Sequence, residues 1–324
     1  MHGKELKRSS SDADAIPERP LRAATKEMAM TSVQAPRSLA FVALGTALLA
    51  MSYHTAAPAQ SPGTGDLSIE LIDPDVLRVC ADPRNLPFSS EAGEGFENKL
   101  AEFVAQKLNK KLAYTFFPQA TGFVRMTLGS HRCDVIMGFP QGDDLAQGTN
   151  PYYRTAYALV VKPDGGLGEV TTLADQRLKD KRIGIVAGTP PATIMAHNGL
   201  MDKAKPYPLM IDTRVDSSAA AMIKDLMSGE IDAGVLWGPM AGYYAKQSNP
   251  PLKVTPLVHE SSGPRLIYRI GMGVRVADQN WKRLLNRLIQ DNQLAINKIL
   301  LGYDVPLLDE KNHIITAETA TKQP

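Results

Sequence analysis

Cysteine is nearly absent from this 324-residue chain, which holds only Cys80 and Cys133. Two thiols cannot build a disulfide-dense scaffold or a cysteine-rich zinc site. Histidine is scarce too. His2 and His54 go with the N-terminal leader, and His131, His197, His259 and His313 are scattered, with no H-x-x-x-H or His/Cys spacing. No G-x-S-x-G, P-loop or C-x-x-C sequence occurs, so the usual nucleophilic, phosphate-cradling and dithiol chemistries have no foothold. No apolar run reaches the roughly 20 residues that cross a bilayer. An excess of one charge is also missing: 36 Lys and Arg stand against 34 Asp and Glu, without the clustered basic face that nucleic acid demands.

What is present begins with a leader. Residues 1–37 mix charged residues, Ser and Pro and have too little apolar pattern to bury a core. Arg37 then precedes the apolar run Ser38–Met51, and Ala57-Pro58-Ala59-Gln60 follows. A basic n-region, an apolar h-region and an A-x-A site make a Sec-type signal peptide, with cleavage expected between Ala59 and Gln60. A start at Met28 or Met30 would give it conventional length. A membrane anchor is the competing reading, and the run is short for one. The leader contains seven of the basic and five of the acidic residues, so both counts fall to 29 in the mature chain. Export predicts a periplasmic location and an oxidising compartment, where Cys80 and Cys133 become a candidate disulfide. The alternative is two small buried apolar residues on strands.

Beyond a Gly/Ser/Pro/Asp-rich linker the chain alternates strand and helix. Val76–Ala81 reads as a strand, and Asp82–Phe88 as a loop. Gly95-Phe96-Glu97 opens a helix with Leu100, Phe103, Val104 and Leu108 on one face. Strands over Leu112–Phe117 and Cys133–Gly138 flank a short helix near Phe123–Leu128. This βαβαβ order calls for a parallel sheet with right-handed crossovers. Tyr157–Val161 leads out of the first lobe, and the rhythm restarts with a strand at Arg182–Val186. A helix follows, capped by Thr189 with Pro190 in its first position. The next helix is expected to be capped by Asp216 and ended by Gly229. A strand at Ile231–Leu236 runs into Trp237-Gly238-Pro239, which opens another helix. β-rich stretches at Leu252–Val258 and Ile267–Val276 precede one long amphipathic helix from about Asn280 to Leu301. The expected division is a leader and signal peptide (1–59), a linker (60–74), a first lobe (75–161 with 257–310), a second lobe (162–256) and a C-terminal tail (311–324).

This order, with Leu77-Arg-Val-Cys-Ala-Asp82, Pro87-Phe88, Gly95-Phe-Glu97, Asn150-Pro-Tyr-Tyr153, Lys181-Arg-Ile-Gly184, Gly188-Thr189 and Gly229-Glu-Ile-Asp232, resembles the type 2 periplasmic solute-binding proteins of the family 3 group. The resemblance spans about residues 75–308. It implies an α/β fold of two lobes, each with a mainly parallel sheet flanked by helices, and a ligand cleft between them. A narrower set is similar to the quinoprotein-dehydrogenase-associated binding proteins, the J proteins encoded beside methanol dehydrogenases. That set is Val79-Cys-Ala-Asp-Pro-Arg-Asn-Leu-Pro-Phe-Ser89, Gly95-Phe-Glu-Asn98 and Arg132-Cys-Asp-Val-Ile-Met-Gly138. The implied partners are a pyrroloquinoline-quinone-dependent methanol or alcohol dehydrogenase with its cytochrome c, and an unidentified small ligand. No cofactor of its own is implied. One departure matters. Where amino-acid binders carry Thr-x-x-Arg to grip a carboxylate bidentately, this chain has Phe139-Pro-Gln-Gly-Asp-Asp144, with two acids and no Arg.

The cleft of such a fold lies at the carboxyl ends of the parallel strands. In the first lobe that singles out Asp82, Asn85, Phe88, Glu97, Phe139, Asp143, Asp144, Tyr152 and Tyr153, and in the second Thr189, Trp237 and Pro239. Plainer readings stand beside them. Asp82 before a proline caps a turn, Trp237 packs a core, and the paired tyrosines pack a hinge. Thr189 caps a helix whose free N–H groups could also hold an anion. Asp143 and Asp144 with Glu94 and Glu97 could surround a hard cation, but a solvated acidic loop is the favoured reading and no metal is expected. Three functions follow: a dehydrogenase accessory protein, which leads; a receptor delivering a small polar solute to an ABC importer; and an enzyme on the same scaffold. The last would want a catalytic acid or base with a carboxylate-holding Arg.

Overall fold

The computed structural model describes residues 70–320, all within one compact unit. The leader, the Ala59–Gln60 cleavage site, most of the linker and residues 321–324 lie outside the described residues. The first run of elements is β1 (Val76–Ala81), a small hairpin of β2 (Arg84–Asn85) and β3 (Ser89–Ser90), α1 (Phe96–Leu108), β4 (Lys111–Phe116), α2 (Phe123–Met126), β5 (Val135–Pro140), β6 (Gln147–Gly148) and β7 (Tyr153–Val161). The second is β8 (Ile183–Val186), α3 (Pro190–His197), β9 (Lys205–Tyr207), α4 (Ser218–Ser228), β10 (Ala233–Trp237), α5 (Gly238–Gln247) and β11 (Lys253–Pro256). The chain then returns through β12 (Ile267–Val274), α6 (Gln279–Asp291), α7 (Gln293–Gly302) and α8 (Ala317–Ala320).

Each lobe has three parallel strands closed by an antiparallel one. In the first, β1 sits between β4 and β5, and β12 runs antiparallel beside β5. In the second, β8 sits between β9 and β10, and β7 runs antiparallel beside β10. The two-lobed α/β architecture implied by the resemblance is what forms. Strand β7 joins the lobes, because Tyr153–Ala156 pair with β12 while Tyr157–Val161 pair with β10. Its alternation feeds both faces of the second sheet. Leu159 and Val161 enter a core with Ile183, Ile185 and Val235, and Ala158 and Val160 one with Met222 and Leu236. Burying each such Leu or Ile stabilises the fold by roughly 1.5–3 kcal/mol. The first lobe packs Leu77, Val79, Phe96, Leu100 and Trp281 into one core. Across its sheet, Cys80, Phe123, Cys133 and Phe139 share a smaller one. There Cys80 and Cys133 are disulfide-bonded, with Cα atoms 5.4 Å apart.

Two local readings need correction. The helix after β9 is capped by Ser217, whose Oγ accepts from the Ala220 N–H at 3.2 Å, and not by Asp216. Asp216 sits one residue too early and accepts the Ser217 N–H. The C-terminal helix is two helices. Asn292 leaves helical geometry at φ −129° and its side-chain amide donates to the Leu288 carbonyl, a local bond that competes with the helix ladder. The short strands β6 and β9 carry too few residues to show a period.

Candidate functional site, a cleft between the lobes

Between the lobes lies a cavity of about 460 Å³, in the range of small-molecule sites. Its floor is the crossing sheet. Tyr153 and Tyr157 project from one face of β7, since side chains four apart on a strand point the same way. Ile270 lies opposite Tyr153 on β12, and Trp237 opposite Tyr157 on β10. Tyr157, Trp237 and Tyr268 form an edge-to-face cluster with ring centroids 5.1 to 6.4 Å apart.

Helix α1 delivers the one deeply buried carboxyl on this wall. Asn98 Oδ1 accepts from the N–H groups of Ser90 and Gly95, fixing the start of α1 against the β2–β3 hairpin. Gly95 is required there, because a Cβ would lie 2.0 Å from the Phe88 carbonyl oxygen. Two residues on, Glu97 turns into the cavity with only 7% exposure. Its carboxyl rests on β5 at Gly138, where a Cβ would meet Oε1 at 2.1 Å. Burial, and secondarily the charge of Asp82, push the Glu97 carboxyl up to about 8.

Of the candidate residues, Asn85, Phe88, Glu97, Tyr153, Thr189 and Trp237 line the cavity. The others do not. Asp82 is buried behind the wall, where it accepts the Arg84 and Gln119 N–H groups and, on both oxygens, the Thr213 hydroxyl of the second lobe at 2.9 and 2.8 Å. It is a turn cap that also ties the lobes together. Phe139 faces the disulfide core because β5 alternation turns it from the side shown by Gly138 and Pro140. Asp143 and Asp144 follow the left-handed Gly142 into an exposed turn, where Asp143 accepts the Leu145 N–H. Tyr152 points into the first core and donates to the Met137 carbonyl at 2.7 Å. Pro239 is buried in the first turn of α5. The anion site at Thr189 fails on elementary grounds: Pro190 and Pro191 have no N–H, and the Ala192 N–H is bonded to the Thr189 carbonyl. Among the described residues no group of three or more His, Cys, Asp or Glu could hold a metal.

The sequence reading missed much of the second lobe's contribution. Thr213, Asp216, Ser217 and Ser218, in the segment entering α4, line the cavity, as do Tyr157, Tyr244 and Tyr268. Their signal is the polar run Thr213–Ser218 ahead of an apolar helix, at the carboxyl edge of the second sheet. Arg84 is also on the wall, at its exposed mouth, with Nη1 donating to the Arg214 carbonyl across the cleft at 2.8 Å.

No family model matches the chain. Individual relatives do. The chain is 30% identical over 291 residues to protein MoxJ of Methylorubrum extorquens, covering 84% of this chain and 95% of that one. A solved structure of the periplasmic binding protein XoxJ from Methylobacterium extorquens AM1 is 44% identical, covers 72% of this chain and 100% of its own, and superposes with a TM-score of 0.63. The chain belongs to the MoxJ/XoxJ family of periplasmic binding proteins. A second MoxJ, from Paracoccus denitrificans, is 28% identical over 265 residues, covering 76% of this chain and 96% of that one. No helix among the described residues is long and apolar enough to cross a membrane.

Proposed function

We propose that this protein is an exported, periplasmic accessory protein of a pyrroloquinoline-quinone-dependent methanol or alcohol dehydrogenase, that it supports the activation or maturation of that enzyme, and that it is not itself an enzyme. The observation that carries the reading is the 44% identity to XoxJ over that protein's whole length. The cleft agrees with it. The Gln141–Asp144 turn, where an amino-acid receptor would present its carboxylate clamp, is without Arg and runs to solvent. Arg84 is the only guanidinium or ammonium on the cavity wall, and it stands at the exposed mouth. Cleavage after Ala59 delivers the chain to the compartment where such a dehydrogenase works.

Deleting the gene tests this. Active, cofactor-loaded dehydrogenase in periplasmic extracts is expected to fall while amino-acid uptake stays unchanged. Sequencing the N-terminus of the periplasmic protein is expected to begin at Gln60. The well-formed cavity favours a second reading, a receptor that hands a small polar solute to an importer. Normal dehydrogenase activity in the deletion strain, together with tight calorimetric binding of a common amino acid, would promote it.

A further inference from the structure

The carboxyl of Glu97 is buried, faces an open cavity, and has no hydrogen-bond partner among the described residues. The carboxyl opens on the cavity, so its hydrogen-bonding capacity is left for an incoming group. Its neighbour Asp82 is different, with both oxygens already bonded to Arg84, Gln119 and Thr213. The wall also carries Asp216, against the single cation Arg84 at the mouth. Beyond Glu97 the surface is aromatic. Tyr153 stands beside the carboxyl, and the Tyr157–Trp237–Tyr268 cluster begins at Tyr268, which lies opposite Thr155 about 7 Å further along the sheet at about 3.3 Å per residue. A carboxyl short of a partner, an Asp216 that offsets the cation Arg84, and ring faces together suit a positive head on an apolar body.

We propose that the cleft binds a small organic cation, an ammonium group on an apolar body, with Glu97 as its counter-charge and the aromatic cluster around Trp237 as the seat of the body. This holds whether or not a dehydrogenase is the partner. The groups facing Glu97 are Asp82 just after β1, Tyr114 on β4, Tyr152 just before β7 and Tyr153 at its start. Burial keeps the three tyrosines neutral, so Asp82 is the only charge among them. In the empty cleft at neutral pH the Glu97 carboxyl therefore holds its proton. Arrival of an ammonium group favours the carboxylate, and the proton leaves to solvent.

The test uses the purified protein with n-butylammonium and phenylethylammonium as probes, and n-butanol and butyrate as neutral and anionic counterparts. Calorimetry at pH 7 in buffers of different ionisation heat counts protons, and Trp237 emission reports occupancy. The ammonium probes are expected to bind with release of nearly one proton and to perturb the emission, and both counterparts are expected to bind far more weakly. Glu97→Gln should abolish the proton release and weaken ammonium binding by about thirtyfold or more, the effect of deleting one partner of a buried charge pair. Tighter binding of butanol or butyrate, ammonium binding without proton release in the unaltered protein, or no binding by any probe would overturn the proposal. The unaltered protein decides the matter even if the variant folds poorly. Loss of ammonium binding with the dehydrogenase effect intact would reject this ligand class and leave the accessory role standing.

Discussion

The two lobes contain the same device in two environments. In the first, Arg78 on β1 grips Asp134, just before β5, through Nε and Nη2 at 2.8 and 2.7 Å, and the Asp134 N–H returns to the Arg78 carbonyl. In the second, Arg182 before β8 grips Asp232 before β10 through the same two nitrogens, and the Asp232 N–H returns to the Arg182 carbonyl. Each pair pins the entry of one parallel strand to its neighbour. The surroundings differ. Asp134 is 1% exposed and also takes Arg275, while Trp281 Nε1 donates to its carbonyl. Arg182 and Asp232 are 48% and 32% exposed. Identical geometry therefore has unequal consequence, because an exposed pair is screened by solvent and a buried one leaves uncompensated charge when broken.

Asp134→Ala is the strongest way to probe that difference. It strips the carboxylate from Arg78 and from the buried Arg275, and is expected to destabilise the fold by about 3–5 kcal/mol in urea denaturation. An effect no larger than that of Asp232→Ala would break the comparison. Only the first lobe has a covalent tie. Replacing Cys80 and Cys133 by Ala opens a link across 53 positions, with an expected loss of about 4 kcal/mol in the chain-entropy account, read from the same denaturation curves.

The first lobe also contains Glu97, an acid that burial pushes well above its ordinary value. The folded-state value for Glu97, about 8, lies above its ordinary 4.5, so the folded chain holds a proton that the unfolded chain releases. Stability from this group is complete below pH 4.5 and is lost as the pH rises toward 8, a fall of ~3 kcal/mol between pH 4.5 and 7. Thermal denaturation across that window should show the decline, and Glu97→Gln should flatten it. The smallest effect is expected at Asp232→Ala, whose denaturation midpoint should barely move and whose remaining effect should fade in added salt. A large loss there would mean that strand pinning, and not burial, sets the cost.

Local pattern carried the fold a long way. The bounds of β1, the opening of α1 at Gly95 and of α3 at Thr189 were legible because caps, prolines and apolar spacing act within a few residues. The break at Asn292 was not. The buried positions Trp281, Leu285, Leu288, Ile289, Ile296 and Leu300 keep a helical rhythm straight through it. In the cleft, Glu97 and Trp237 were legible as ends of elements that aim at the gap. Tyr157 and Tyr268 were not, because their place depends on β7, β10 and β12 lying side by side. Those pairings join residues 72 to 117 positions apart and leave no periodic trace.

The division of β7 between two sheets limits how this molecule can be dissected. A fragment covering 162–256 would omit Tyr157–Val161, the strand that pairs with both β10 and β11. Such a piece would present two bare strand edges and empty sockets where Leu159 and Val161 belong, an invitation to aggregate. A workable excision has to carry that strand across the cut, so the natural seam for engineering runs through the middle of β7, at Ala156, and not at its end.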